Sequence, residues 1–213
     1  SGDTIYLLDN LEGAGIGIFA PDVKDITIDF GGNTYTCVGH AVGSSDTQSQ
    51  AFHLEKSADK TPKVKLQNGT LTATEDSGVK MLIQNYCDLT LTNMNLKGTE
   101  KTQYVLSNNF GNTVIDGNTS ITATDDNVAF DVCYANGPYA GGVSVTVNTT
   151  GAITGDIELG VWNAADAAVP PDINDYLDKA KLIINNVELQ GEIINNVGGF
   201  NDYEQDNAGG TDA

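Results

Sequence analysis

Three carboxylates, Asp125, Asp126 and Asp131, fall within one short stretch of this 213-residue chain and are its first candidates for chemistry. Calcium takes roughly six to eight oxygen ligands, so a cluster of this kind admits Ca²⁺, the one cofactor the sequence suggests. Paired carboxylates also do acid/base work on a glycosidic bond when they stand about 5 to 10 Å apart across it. Consecutive strand residues point to opposite faces, so Asp125 and Asp126 can cooperate only at a bend. A solvated turn after Ile121-Thr-Ala-Thr is the plainer expectation for them. A second set is aromatic. Tyr134, Tyr139 and Trp162 lie in or beside the irregular stretches Tyr134-Ala-Asn-Gly-Pro-Tyr-Ala-Gly-Gly and Trp162-Asn-Ala-Ala-Asp. Flat rings beside Asp and Asn acceptors make a ligand platform for sugars; the competing expectation is that they cover the side of the fold.

Other catalytic patterns fail. His40 and His53 are too few, and too poorly spaced, for a nucleophile triad or a zinc site. His53 stands in Ala51-Phe-His-Leu54, where alternation predicts that it faces outward. Gly13-Ala-Gly-Ile-Gly17 lacks the Lys-Ser/Thr and the helix of a phosphate loop, and reads as a turn before a strand. Cys37, Cys87 and Cys133 are odd in number and lack metal-ligand spacing, so they are expected to be small buried hydrophobes. No catalytic residue is assigned.

The charge balance narrows the partners. All ten basic residues are lysines, scattered along the sequence, against 29 acidic ones, for a formal net charge of −19. Such a surface repels phosphate backbones and anionic headgroups, which argues against nucleic acid. It also favours solubility. No run has the length of a membrane-spanning helix, so membrane insertion is not expected.

The elements that must position these residues come from a repeat. Short aliphatic strands run into an Asn/Gly corner, then one or two more apolar residues, then another turn. Copies are Val64-Lys-Leu-Gln-Asn68-Gly-Thr-Leu71, Leu89-Thr-Leu-Thr-Asn93-Met-Asn-Leu96 and Val114-Ile-Asp-Gly-Asn118-Thr-Ser-Ile121. Leu71, Leu96 and Ile121 are equivalent and 25 residues apart; Ile153 and Leu189 continue the series at 32 and 36 residues. Between these copies lie further strands, such as Gly78-Val-Lys-Met-Leu-Ile-Gln-Asn85-Tyr and Tyr104-Val-Leu-Ser-Asn-Asn109-Phe110. Tyr86 and Phe110, 24 apart, should therefore stack. One round of about 25 residues cannot bury its inward side chains alone, so rounds must pile up. Three short strands per round is the geometry of an all-β parallel β-helix, with about 24–25 residues per turn in the middle. Asn tolerates the left-handed bends that its corners need.

The opening stretch, Thr4-Ile-Tyr-Leu-Leu-Asp-Asn, Gly15-Ile-Gly-Ile-Phe19 and Lys24-Asp-Ile-Thr-Ile-Asp-Phe-Gly-Gly-Asn-Thr-Tyr, resembles the first turns of pectin-lyase-like right-handed parallel β-helix domains of bacterial cell-surface proteins. The resemblance covers roughly residues 4 to 196. The strand pattern reads as a single domain over 1–197; it breaks at 162–181, a loop insertion with a short helix expected near 172–180 after two prolines, and again at 198–213, a Gly/Asp/Asn-rich flexible tail. The resemblance implies an extracellular or cell-surface location. Lyases, hydrolases and adhesins all use that fold, so fold alone does not choose among them. Lyases of the group use Ca²⁺-binding carboxylates with an Arg or Lys; this chain has no Arg, and of the hydrolase motifs only Asp125-Asp126 is present. The expected function is therefore a non-catalytic surface module that binds glycans or another surface protein. A carbohydrate-active enzyme with an unusual site, or a plain structural spacer, are the alternatives.

Overall fold

The computed structural model describes residues 2–19, 25–39, 41–43, 48–57, 59–124, 127–136, 141–163 and 179–195. Among these residues there is no helix, and every pairing between strands is parallel. The first round comprises β1 (Asp3–Tyr6), β2 (Leu11–Ala14) and β3 (Ile16–Phe19), and the second β4 (Ile26–Asp29), β5 (Thr34–Gly39) and β6 (Gln50–Glu55). From then on the first two segments fuse into one bent strand or a close pair. These are β7 (Lys63–Ala73) with β8 (Met81–Asn85), then β9 (Asp88–Lys97) with β10 (Tyr104–Asn108). Next come β11 (Asn112–Gly117), β12 (Ser120–Thr122) and β13 (Val128–Asn136), then β14 (Val143–Thr154) with β15 (Asp156–Asn163). The last are β16 (Ala180–Gln190) and β17 (Ile193–Asn195). The third segment of each round forms a seven-stranded sheet, here sheet B, in the order β17-β15-β13-β10-β8-β6-β3. The remaining strands form the ten-stranded sheet A. This is parallel β structure compatible with a solenoid.

The register follows the repeat. Leu71 pairs with Leu96, Leu96 with Ile121, Ile121 with Ile153, and Ile153 with Leu189. The first four of these side chains are fully buried. A second interior column on sheet A runs Ile28, Leu66, Leu91, Ile115, Val147, and continues in register to the exposed Ile184 of the last round. Phe52, Ile83, Leu106, Phe130 and Ile157 form the facing column on sheet B. Each round contributes a few apolar side chains, and neighbouring rounds supply the remainder of the burial.

The bend inside β7 and β9 has a local cause. Asn68 and Asn93 take left-handed conformations, φ 61° and 53°, and Gly117 does the same at 65° in the next round. Asn is among the few side chains that accept this conformation, because it can hydrogen-bond locally. The Asn93 amide Nδ2 donates to Asn68 Oδ1 at 3.2 Å, and Asn118 N donates to Asn93 Oδ1 at 3.0 Å, so the corners are tied from round to round. Gly69, just after the bend, has no room for a side chain. A Cβ there would lie 2.3 Å from Phe30 Cβ and 2.4 Å from the Asn33 carbonyl oxygen, neither of which can swing away. Gly69→Ala is therefore expected to lower stability by about 1–3 kcal/mol, read as a lower urea midpoint with an unchanged slope. An unshifted midpoint would show that the second and third rounds are not packed this tightly.

Sequence and structure part at several positions. His53 does not face outward: it is 1% exposed, because β6 is buried on both faces. Its Nδ1 is 2.9 Å from Gln84 Oε1, and its ring lies between those of Phe19 and Tyr86 at 5.6 and 5.8 Å. Gly13–Gly17 is not a flexible turn but part of β2 and β3, with Gly13 packed against the Tyr35 ring. The three cysteines are buried free thiols. The short helix expected near 172–180 and the tail at 198–213 lie outside the described residues, apart from Lys179 and Ala180, where β16 begins.

Candidate functional site

Each round leaves sheet B and enters sheet A at one corner, and there the chain gathers its least expected residues. Just inside sheet A, one register column reads Lys63, Asp88, Asn112, Ser144, Lys181. Each of these residues precedes an inward-facing one, so the column itself points outward. Asn112 Nδ2 donates to Asp88 Oδ1 at 3.1 Å, and Ser144 Oγ donates to Asn112 Oδ1 at 2.9 Å, giving a continuous ladder of polar side chains. Lys179 stands immediately before β16, and Lys56 immediately after β6.

Lys56, Asp88, Asn112, Ser144, Lys179 and Lys181, with Thr61 and the Gly141-Gly142 backbone, line an open groove of about 660 Å³. That is within the usual range for small-molecule sites. Lys56, Lys179 and Lys181 bring three of the chain's ten basic side chains here against one carboxylate, Asp88. The lysines scattered in sequence converge in space. The groove is thus locally cationic on a chain of net charge −19.

Lys56 is held in place rather than waving in solvent. Its Nζ donates to the Phe110 carbonyl oxygen at 2.7 Å and sits 5.9 Å from the Phe110 ring centroid. Burial draws its pKa below the ordinary lysine value, opposed by the charge of Asp88. Burial pushes the neighbouring Cys87 thiol up to about 12, so it stays protonated and is no nucleophile. Phe110 itself has φ 59°. A bulky residue in that region is an outlier that the surrounding structure has to enforce. Here the unusual backbone aims a carbonyl at Lys56. Beneath the groove Tyr86 stacks on Phe110 at 6.3 Å and 23°, as their spacing predicts, and Tyr134 meets Phe110 edge-on at 5.7 Å.

No family model fits the chain, and neither the curated proteins nor the solved structures include a significant match. The site must be read from its own atoms.

Of the expected ligand aromatics, only Tyr134 has a described side chain. Tyr134 is 9% exposed and packs into the core through Phe110, so its ring does not present a sugar platform. Trp162 lies in β15, its backbone paired with Ala135, which places it one position beyond Tyr134 on the neighbouring strand. Its side chain, and all of Tyr139, lie outside the described residues. So do Asp125, Asp126 and His40. Asp131, the third expected Ca²⁺ ligand, is buried in β13, where it accepts hydrogen bonds from Asn108 N at 2.5 Å and Ser107 Oγ at 3.3 Å. Among the described residues no three His, Cys, Asp or Glu side chains are grouped to hold a metal ion. No helix there is long and apolar enough to cross a membrane.

Proposed function

We propose that this protein is a right-handed parallel β-helix module of the cell surface or extracellular space, and that its corner groove binds an acidic glycan without transforming it. The observation that carries this reading is the convergence of Lys56, Lys179 and Lys181 on the Asn112–Ser144 ladder, in a chain where acids outnumber bases 29 to 10. Ammonium groups pair with sugar carboxylates, while the amide and hydroxyl of the ladder match sugar hydroxyls. The global negative field does not defeat this, since unpaired surface charges are screened beyond about 8 Å at physiological salt.

Titration calorimetry against polyuronate oligosaccharides and neutral glucans of equal length tests the reading. Binding should favour the polyuronates, weaken with added salt, and fall at least tenfold in the Lys56→Gln/Lys179→Gln/Lys181→Gln variant. Equal binding of the two sugar classes, or no loss in the variant, overturns it. Absence of binding to any glycan points to the spacer reading instead.

One observation favours an enzyme as the second reading. A half-buried lysine of depressed pKa beside a groove is a competent base for abstracting a proton next to a carboxylate. Elimination would leave an unsaturated sugar that absorbs ultraviolet light. Steady release of such a product, abolished by Lys56→Gln, would replace binding with catalysis.

A further inference from the structure

The middle of sheet B contains a carboxylate that the groove does not use. Asp131 is buried, and in the parallel pairing of β13 with β15 its partner is Glu158. Partner residues on adjacent parallel strands stand about 4.8 Å apart with side chains on the same side of the sheet, so the two carboxyls face one another. Both hydrogen bonds that Asp131 accepts come from neutral groups on β10, the Asn108 amide and the Ser107 hydroxyl. Tyr104, also on β10, donates its hydroxyl to Glu158 Oε2 at 3.4 Å. Among the described residues no lysine forms an ion pair with either acid.

We infer that Asp131 and Glu158 form a proton-held clasp across β10, β13 and β15, closed while a proton is bound at the pair and loosened when that proton leaves for bulk water. A buried carboxylate paired across strands with a half-buried one is unfavourable when both are charged, whereas a protonated carboxyl can donate to its neighbour. The charged and titratable groups of the surrounding strands do not supply a counter-ion. On β10 the titratable group is Tyr104; β13 adds Cys133 and Tyr134, and β15 adds Asp156 beside Glu158. Neither β8 nor β14 carries a titratable side chain. On β16, Lys181 lines the corner groove, and Glu188 accepts from Gln190.

The titration runs in the matching direction. Burial, joined by the Glu158 charge, raises Asp131 to about 7 from the ordinary 3.8, with its two hydrogen bonds opposing. Burial raises Glu158 as well. A carboxyl raised on folding contributes stability that is complete below about pH 4 and disappears as the pH climbs through about 7.

The test is thermal unfolding of the whole chain between pH 4.5 and 8.5. The midpoint should fall by about 10 °C across that range, mostly below about pH 7, and level off above it. Asp131→Asn keeps the acceptor oxygen but not the titration, and should remove at least half of the fall and raise the midpoint at pH 8. Glu158→Gln should end the fall at a lower pH, and it tests the clasp independently should Asp131→Asn fail to fold. Hydrogen exchange at pH 8, corrected for intrinsic rate, should rise in β10, β13 and β15 above the other strands. An equal pH dependence in wild type and both variants, or exchange rising uniformly, overturns the clasp.

Discussion

Leu96→Ala is expected to lower stability by about 3–5 kcal/mol, enough to move the thermal midpoint by about 10 °C in a chain of this length. Leu96 is fully buried and paired on one side with Leu71 and on the other with Ile121. Removing its isobutyl group takes contacts from two rounds at once. The strands on either side are tied to the same sheet, so the hole cannot close by local collapse. Val114→Ala is the matched control: Val114 stands on the same sheet but is 39% exposed, and its truncation should cost under about 0.5 kcal/mol. Similar losses for the two variants would mean that residues 25 apart do not share an interior column.

Asn108→Ala should be comparably severe, at about 3 kcal/mol or more, although it removes no apolar surface. The Asn108 side chain is fully buried at the inner end of sheet B. Its Oδ1 accepts from Asn85 Nδ2 at 2.9 Å and from Thr113 Oγ1 at 2.7 Å, and its Nδ2 donates to the Gly111 carbonyl at 3.1 Å. Truncation strands several polar groups in a dry interior, each costing about 1–3 kcal/mol when left unpaired. Asn118, an exposed corner residue, provides the contrast, and Asn118→Ala should cost well under half as much. Urea unfolding followed by circular dichroism separates the two; equal midpoints would refute the buried network.

The parallel sheets were legible in the sequence because inward side chains at Leu71, Leu96, Ile121, Ile153 and Leu189 must all be apolar, and the first three each sit three residues beyond an Asn corner. Tyr86 over Phe110 was legible for the same reason. His53 was not. Alternation identifies an outer face only where that face meets water, and β6 is covered on both sides. The groove was hidden more deeply, since Lys56 and Lys181 belong to rounds far apart in sequence. Their shared address is visible only once register is known: Asp88, Asn112, Ser144 and Lys181 each stand one residue before an inward position of their own round. A repeat alignment that tracked this outward slot would have found three of the groove's polar residues and one lysine. Asp131 looked like a metal ligand because its neighbours in sequence are acidic, whereas its neighbours in space are Ser107, Asn108 and Glu158.

Pairing that runs only between successive rounds has a mechanical side. Strand β8 touches β6 and β10 but nothing farther along sheet B, and the same holds down the stack. Among the described residues the first and last rounds pair on one side alone, and there Leu8 is 90% and Ile193 48% exposed. Pulled apart or heated, such a body peels from its extremities, each lost round converting the next into a new frayed end, while the centre holds until last.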